Sequence, residues 1–321
     1  MDAHDARLNA SRQALLEAVA QDGLAPSRPI TLIRGIGNLG DQLITAGARR
    51  LLAGFRYEEV SVEEAVRSRG ETAVLVGSGA WCAAFHEVMP AALGAIEKRY
   101  SRVVVFPSSF DVSVPAVRRA LERSKAAVFA RERESYRQIE PLCDARLALD
   151  TAFFFDFSSY VVPGSGVLHA YRGDAEATGR SPVHGDNRDI STALGSLDEW
   201  LWAIARAAEV HTDRAHVMIA AALLGKRVEI HPSKSHKVMA IAEYALNDFD
   251  VHPGMPRNDV ASAAAPPSGR ELRSRLLELG RASLSRLPRH ANPSSEPRVT
   301  IVVLSWNRID QITACITSIV Q

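Results

Sequence analysis

The sequence predicts an α/β protein built from two Rossmann-like lobes with largely parallel sheets. Short apolar, β-branched runs alternate with helical patterns along most of the chain, and turns rich in glycine, serine or proline follow several of these runs. This alternation is typical of doubly wound sheets, whose ligands bind beyond the carboxyl ends of the strands. The length of 321 residues exceeds the usual size of one domain and favours two lobes.

The composition excludes several classes of protein. The formal net charge is only +1, whereas a nucleic-acid-binding domain carries a basic excess. Cys82, Cys143 and Cys315 are far apart in the sequence, which indicates neither a disulfide framework nor a structural zinc site. No apolar stretch approaches the ~20 residues of a membrane span, and the first residues lack the apolar run of a signal peptide. We therefore expect a cytoplasmic enzyme that binds no nucleic acid.

The first lobe is predicted at about residues 29–160, after an amphipathic helical pattern in residues 1–28. A strand at residues 30–34 leads through a glycine-rich turn into a helix, and residues 71–81 and 101–110 repeat the pattern of a strand followed by small residues. The segments AAVFA and ARLALD add two further strands. We expect the turns after these strands to lie together at one edge of a sheet.

The second lobe is predicted at about residues 161–250, so that the two lobes together span residues 29–250. Its strands are expected in VLHAY, EVHTD and RVEIHP, and its helices in SLDEWLWAIARAA and HKVMAIAEYAL. The polar segment 180–191 is rich in turn-forming residues and is predicted to be a loop.

Residues 251–297 are predicted to be a linker, because proline, alanine and serine dominate their first half and a second polar tract ends them. Between these tracts, residues 270–289 show a basic amphipathic helical pattern. Such a helix could rest on an anionic membrane surface, which would place the protein peripherally at the inner face of the cell membrane. A solvated linker helix is the favoured interpretation.

The last segment, residues 298–321, contains one strand pattern and one helix pattern, which cannot bury a core by themselves. Ser305, Trp306, Asn307 and Arg308 follow the strand pattern. This arrangement resembles the first βα unit of a family 2 glycosyltransferase of the GT-A fold. The resemblance implies that the chain is the front part of a longer, bifunctional protein, and that this fragment cannot transfer a sugar alone.

The turn GIGNLGD follows the first predicted strand. Gly37, Asn38 and Gly40 can bring backbone N–H groups close to an anion, and the positive end of the following helix dipole favours negative charge there. The spacing is not that of a dinucleotide-binding turn. A tight turn in which Asp41 caps the helix is an equally good interpretation.

Two further clusters of charged residues stand at predicted strand ends. Arg131 follows one strand and Ser135 begins the next helix, while Arg214 and His216 stand between a strand and a strongly apolar helix. An arginine is suited to bind a carboxylate or phosphate through two hydrogen bonds, and a histidine beside it can hold or pass a proton near neutral pH. We therefore expect both clusters to contribute to an anion site.

The motifs together resemble those of the polysaccharide pyruvyltransferases. Members carry a Gly-Asn-x-Gly-Asp turn, a glycine-rich turn, a serine at a strand end, an Arg-Asp-x-x-Ser motif, an Asp-x-Ala-Phe segment and a late Arg-x-His turn. The corresponding segments here are 37–41, 77–79, 108–109, 131–135, 150–153 and 214–216, in the same order. Lys237 resembles the late lysine of the family. Glu132 replaces the usual Asp of the Arg-Asp motif, and Ser78 interrupts the usual glycine triplet.

The resemblance implies a GT-B-like transferase of cell-surface polysaccharide biosynthesis that adds pyruvate from phosphoenolpyruvate to a sugar as a ketal. Arg131 and Arg214 would clamp the donor from opposite lobes, and His216 would act as acid or base. Asp41 or Asp150 would deprotonate a sugar hydroxyl. The remaining substrate-binding candidates are Gly37, Asn38, Gly40, Ser109, Ser135 and Lys237. No cofactor is expected, and no residue spacing predicts a required metal ion.

Two alternatives remain open at the level of the sequence. A two-lobed protein with anion-binding turns could instead be a glycosyltransferase that uses a nucleotide sugar. The chain could also be a non-catalytic lobe that binds glycan or supports assembly. In each case an oligosaccharide or lipid-linked glycan is the expected acceptor or ligand.

Overall fold

The computed structural model describes residues 3–20, 29–35, 37–84, 88–178, 181 and 185–254 of the chain. The glycosyltransferase-like segment, the basic amphipathic pattern and all of the predicted linker beyond residue 254 lie outside the described residues.

The first lobe is built on a six-stranded sheet. Its strands are β1 (Ile30–Ile33), β2 (Tyr57–Val60), β3 (Gly70–Leu75), β4 (Tyr100–Ser108), β5 (Ala127–Ala130) and β6 (Asp144–Leu147). They lie in the order β2-β1-β3-β4-β5-β6, and every neighbouring pair is parallel. The chain therefore reverses its direction of travel across the sheet between β1 and β3, which is the place where doubly wound sheets bind ligands.

Helices cover both faces of this sheet. They are α1 (Ala3–Val19), α2 (Leu39–Leu51), α3 (Val62–Ala65), α4 (Val88–Glu97), α5 (Pro115–Arg123) and α6 (Arg133–Ile139). Successive residues of β4 point to opposite faces: Val103 and Val105 pack with α4 and α5, whereas Val104 and Phe106 pack with α1 and α2. Burial on both faces explains why the strands are continuous apolar runs rather than alternating ones.

Strand β2 is the element of this lobe that the sequence analysis missed. Its four residues, Tyr57–Val60, include two adjacent glutamates, Glu58 and Glu59. The strand lies at the edge of the sheet, where it pairs only with β1 among the described strands. An edge strand needs less apolar surface than a central one, so its sequence carries a weaker strand signal.

The second lobe contains a four-stranded parallel sheet. Its strands are β7 (Val167–Ala170), β8 (Glu209–Thr212), β9 (Arg227–Ile230) and β10 (Val251–Pro253), in the order β10-β9-β8-β7. Its helices are α7 (Ile190–Ala193), α8 (Leu197–Ala205), α9 (Ala215–Leu223) and α10 (Lys237–Ala245). Strand β10 comes from residues that the sequence analysis assigned to the start of the linker.

The two lobes share a continuous hydrophobic core. Leu39 and Leu43 of α2 lie in the same cluster of buried side chains as Trp200 of α8 and Met218 of α9. Two short 3₁₀ helices, Thr151–Phe154 and Ser158–Tyr160, follow the first sheet, and Phe153 of the first belongs to the same core. The predicted α/β fold of two Rossmann-like lobes with parallel sheets is confirmed. Within the described residues, no helix is both long and apolar enough to cross a membrane.

Gly47 allows α2 to approach the end of the first lobe closely. A Cβ atom at this position would lie 1.9 Å from the backbone carbonyl oxygen of Thr151. This is much shorter than any contact between non-bonded atoms. Gly94, in α4, is exposed, and a Cβ atom there would meet nothing within 4 Å. The two helical glycines therefore differ only in what surrounds them.

We predict opposite effects of alanine at these two positions. Gly47→Ala should lower the free energy of unfolding by about 1–3 kcal/mol, because the backbone of α2 must shift away from Thr151. Gly94→Ala should raise it by up to about 1 kcal/mol, because alanine favours the helix. Urea unfolding of both variants measures the difference, and equal effects of the two substitutions would contradict the close approach.

Candidate active site

The candidate site lies where the carboxyl ends of the two sheets meet. Four residues of the first lobe follow consecutive strands: Gly79 after β3, Ser109 after β4, Arg131 after β5 and Asp150 after β6. The second lobe contributes side chains from the ends of β7 and β8 and from the starts of α9 and α10: Arg172, Arg214, His216 and Lys237. The topology of parallel strands therefore gathers residues that are far apart in the sequence.

Arg131 occupies the centre of the site and is almost fully buried, as is Asp150. Its Nη1 donates a hydrogen bond of 2.9 Å to Oδ2 of Asp150, and its Nε donates one of 2.8 Å to Oγ of Ser109. His216 approaches from the other lobe, with its Nε2 at 3.3 Å from Nη1 of Arg131 and 3.5 Å from Oδ2 of Asp150. The predicted proximity of Ser109, Arg131, Asp150 and His216 is thus observed.

Asp150 is ionised at neutral pH. Burial by itself would raise the pKa of its carboxyl group, but the hydrogen bond from His216 and the positive charges of His216 and Arg131 outweigh this effect and lower the pKa from 3.8 to about 2. A second oxygen, Oδ1, accepts the backbone N–H of Ala152 at 2.8 Å. A carboxylate with so low a pKa is a weak base, so its geometry suits the orientation of Arg131 and His216 better than proton abstraction.

Lys237 reaches from the second lobe to the glycine-rich turn of the first. A Cβ atom placed on Gly79 would lie 3.2 Å from Nζ of Lys237 and 3.8 Å from Nη2 of Arg131. Nη2 is the terminal nitrogen of Arg131 that makes no hydrogen bond to any described residue. The absence of a side chain at Gly79 therefore allows two cations from opposite lobes to lie close to this turn.

A second arginine supports this lysine. Nζ of Lys237 donates to Glu176 at 2.7 Å, and Glu176 also pairs with Arg172. Nη1 of Arg172 is buried and has no hydrogen-bond partner among the described residues. Burial lowers the pKa of Lys237, although the carboxylate of Glu176 acts in the opposite direction. Sequence reasoning missed Arg172 and Glu176, whose only signal was their place just after a predicted strand.

Arg214 lies in a separate part of the ion-pair network. Its Nε donates to Asp189 at 2.6 Å, and its Nη2 donates to Asp174 at 3.0 Å. Burial acts to lower the pKa of Arg214, but these two carboxylates outweigh it and raise the pKa. Within the described residues Arg214 makes no hydrogen bond to Arg131 or His216. Asp174 also accepts from Arg172 at 2.7 Å, which connects Arg214 to the network around Lys237.

The turn GIGNLGD forms the start of α2 and reaches His216. Asn38 caps the helix by accepting the N–H of Gly40 at 2.8 Å, and Asp41 accepts the N–H of Asn38 at 2.9 Å. The same carboxylate fills the space beside Gly37, where a Cβ atom would collide with it. At Gly40 a Cβ atom would lie 2.7 Å from Nδ1 of His216. The structure therefore places Asn38 at the N-cap that the sequence analysis gave to Asp41, and Asp41 completes the capping box. Gly40 allows the two lobes to touch at the histidine.

Ser135 belongs to a neighbouring buried cluster. Its Oγ accepts the backbone N–H of Phe110 at 2.7 Å, and its hydroxyl bonds Glu132. Nε2 of His236, from the second lobe, lies 3.1 Å from this oxygen and 3.2 Å from the carboxylate of Glu132. Burial favours a higher pKa for Glu132, but the hydrogen bonds from His236 and Ser135 keep it lowered. Ser135 thus joins the two lobes, and His236 is a residue that sequence reasoning missed.

Cys82 is a free cysteine that lies close to Ser109. It is buried, and its Sγ donates to the carbonyl oxygen of Ser109 at 3.4 Å. Burial raises the pKa of its thiol to about 11, although Lys237 and Arg131 act to lower it. The thiol is therefore protonated at neutral pH and unsuited to nucleophilic attack.

Fold and site together define a two-lobed α/β protein in which charged side chains of both lobes meet at the carboxyl ends of the strands. Residues 38–228 match the family model described as polysaccharide pyruvyl transferase. Because this match covers more than half of the chain, the protein belongs to the polysaccharide pyruvyl transferase family, and it is a transferase. Sequence comparison with curated proteins gives no significant match.

Two solved structures resemble the protein. A Klebsiella pneumoniae protein (subsp. pneumoniae NTUH-K2044), described as uncharacterized, is 20% identical, with a TM-score of 0.62 over 79% of this chain and 100% of that chain. This likeness concerns the fold alone. Escherichia coli ADP-heptose lipopolysaccharide heptosyltransferase II is 13% identical over the same shares of the two chains, with a TM-score of only 0.29, from which nothing is concluded.

The buried ion pair at Arg131 should be essential for stability. Asp150→Ala leaves the guanidinium buried without its carboxylate and should lower the free energy of unfolding by about 3–5 kcal/mol. The matched control is Asp144→Ala, which removes a half-exposed partner of Arg146 and should cost less than about 1 kcal/mol. Chemical denaturation compares the two variants, and a cost at Asp150 no larger than that at Asp144 would refute the role of the ion pair.

The same ion pair predicts a pH dependence. Because the folded pKa of Asp150 lies below its ordinary value, its contribution to stability is complete above about pH 4 and is lost as the pH falls toward 2. The difference in unfolding free energy between the wild type and Asp150→Asn should therefore narrow between pH 4 and pH 2. Denaturation at several pH values measures it, and a constant difference would rule out the lowered pKa.

Proposed function

We propose that this protein transfers the pyruvate of phosphoenolpyruvate to a sugar as a cyclic ketal. The observation that carries the proposal is that Arg131 and Lys237 converge on Gly79 from opposite lobes. Their nitrogens Nη2 and Nζ lie 3.8 and 3.2 Å from the position that a Cβ atom would take on this glycine. Membership of the pyruvyl transferase family supports a pyruvyl donor and a sugar acceptor.

Phosphoenolpyruvate carries a phosphate and a carboxylate on the same carbon atom, so its site needs several cationic donors close together. Nη2 of Arg131 and Nζ of Lys237 supply two of them. Nη1 of Arg172, which is buried and unpartnered among the described residues, is a further donor in the same network. Hydrogen bonds from charged groups to such anions are stronger than neutral ones and fix their orientation. In this proposal Lys237 and Arg172 take the place that the sequence analysis gave to Arg214.

Arg214 contributes to the proposed site indirectly, through the residues that it holds in place. It is held by Asp189 and Asp174, and Asp174 in turn holds Arg172. We therefore assign it to the positioning of Arg172 and of the loop that carries Asp189.

His216 is the proposed proton donor. Its side chain is 13% exposed, so it can meet a ligand, while Arg131 and Asp150 fix its orientation from behind. Transfer of a proton to the methylene carbon of phosphoenolpyruvate converts it to a methyl group and makes the central carbon electrophilic. One sugar hydroxyl then adds to that carbon and returns its proton to the histidine.

The second hydroxyl closes the ring. It attacks the same carbon, the bond to the phosphate oxygen breaks, and inorganic phosphate leaves with the second hydroxyl proton. The reaction therefore consumes one donor and one sugar that has two suitably placed free hydroxyl groups, and it releases one phosphate. No change of oxidation state occurs, so the step needs no redox cofactor.

Binding of phosphoenolpyruvate tests the proposal without knowledge of the acceptor. Calorimetric titration of the full chain should show binding that Lys237→Met weakens by about 10- to 100-fold, because a charged donor is lost. Lys234→Met is the matched control: this lysine lies three residues away, is exposed and donates to the carbonyl of Ala175. Tight binding of nucleotide sugars with no binding of phosphoenolpyruvate would favour the rival glycosyltransferase function instead.

Turnover separates catalysis from binding. With phosphoenolpyruvate and a panel of oligosaccharides, the wild type should release phosphate in step with ketal formation, and His216→Gln should bind the donor but lose most of the turnover. Binding of glycan and donor by the wild type without phosphate release from any acceptor would contradict the transferase mechanism and favour a non-catalytic role.

We further infer from Ser305, Trp306, Asn307 and Arg308 that residues 298–321 begin a glycosyltransferase domain of the GT-A fold, and that residues 270–289 can touch an anionic membrane. The support is the sequence pattern alone, and the family match ends at residue 228. Coding sequence that continues past Gln321 into such a domain supports the first inference, and a stop codon there contradicts it. Binding to anionic but not neutral vesicles tests the second.

A further inference from the structure

One face of the second sheet carries an unusual concentration of histidine and glutamate. The opposite face, with Val210, Val228 and Ile230, packs against α8, α9 and α10 in the core. Side chains point alternately to the two faces of a strand, so the residues between them share the other face. Glu209, His211 and Glu229 on that face are all only partly buried.

The three residues belong to a Glu-x-His pattern that occurs on two neighbouring strands. Strand β8 carries Glu209-Val210-His211, and β9 with its following residue carries Glu229-Ile230-His231. The parallel register sets His211 opposite Glu229. Each Glu-x-His pair therefore lies on the same side of the sheet, and the two pairs are neighbours across it.

The carboxylate oxygens of the two glutamates lie close to the ring nitrogens of His211. Oε1 of Glu209 lies 2.9 Å from Nε2 of His211, and Oε1 of Glu229 lies 3.9 Å from Nδ1 of His211. One ligand atom from each of Glu209, His211 and Glu229 lies within 4.8 Å of the other two. Ligand atoms around a tetrahedral zinc ion are about 3.3 Å apart, given bonds of about 2.0 Å. Because Glu209 faces Nε2 and Glu229 faces Nδ1 of His211, the imidazole ring or one glutamate must rotate for both carboxylates and one ring nitrogen to meet at an ion.

We propose that Glu209, His211 and Glu229 bind a divalent transition metal ion of the zinc type. Two carboxylates and one imidazole supply the mixed nitrogen and oxygen ligands that such ions take, and they leave a fourth position for water. The side chains of the three residues are 28%, 16% and 33% exposed, so an ion can reach them from solvent.

Neighbouring residues support the proposed ligands. Nε2 of the buried His231 lies 2.9 Å from Oε1 of Glu229 and can orient that carboxylate from below. The ring of His169, on β7, packs edge-to-face against His211 with centroids 5.1 Å apart. Such supporting contacts fix the direction of metal ligands. Arg227 competes for Glu209 at 3.6 Å, but its side chain is 63% exposed and can turn into solvent.

The proposed site is separate from the active site. It lies along the strands β8 and β9, whereas the active-site residues follow the ends of the strands. An ion here would tie β8 to β9 and so support the strand that leads into Arg214 and α9.

Metal content of the full chain provides the test. After removal of metal with a chelator and dialysis against Zn²⁺, elemental analysis should find one more zinc per chain in the wild type than in His211→Gln. Zinc should also raise the melting temperature of the wild type by several degrees, and this shift should be absent from the variant. His252→Gln is the control, since His252 lies in the same cross-strand row, opposite Glu229, but is bonded to Asp250 and outside the cluster.

A second variant distinguishes loss of a metal ligand from misfolding of the protein. Glu209→Gln keeps the shape of the side chain and replaces only the charged oxygen donor, so it should fold and should bind zinc at least about 10-fold more weakly by calorimetry. Equal zinc content and equal stabilisation in the wild type, His211→Gln and Glu209→Gln would overturn the proposal. Neither outcome depends on whether the protein transfers pyruvate.

Discussion

Arg131 carries a full positive charge into the interior of the protein, and a buried cation is tolerated only where acceptors surround it. Asp150 and Ser109, from the ends of β6 and β4, accept hydrogen bonds from it, and Nε2 of His216, at the start of α9, lies 3.3 Å from its Nη1. Each of these elements must stand in its observed place for the charge to be compensated. Arg131 and Asp150 both belong to the first lobe, and their contacts with His216 join the two lobes at the candidate site.

Around this centre, cations alternate with carboxylates. Glu176 lies between Arg172 and Lys237, and Asp174 lies between Arg172 and Arg214. The carboxylates compensate much of the positive charge in the absence of a ligand, and they hold the cations in fixed orientations. In the proposed reaction, an anionic donor would meet cations that need little rearrangement, and such preorganised charges stabilise a transition state effectively.

Much of this arrangement was predictable from the sequence, because in a parallel sheet a residue's place after a strand determines its place in space. That rule identified Arg131, and the resemblance to the pyruvyltransferase family added Ser109 and Asp150. It could not reveal partners: the sequence analysis gave the clamp to Arg214 and listed Lys237 among the other binding candidates, and only the folded chain shows that Lys237 lies beside Gly79. The edge strand β2 and the cross-strand cluster at His211 were missed for the same reason, since their identity depends on neighbours distant in sequence.

The shared core has a consequence for how the cleft works. Leu39 and Leu43 from one lobe and Trp200 and Met218 from the other are buried in a single cluster, and separation of the lobes would expose all of them to water. Wide hinge opening of the kind seen in many two-lobed enzymes would therefore carry a large hydrophobic cost. The position of the two lobes relative to each other is therefore set when the chain folds.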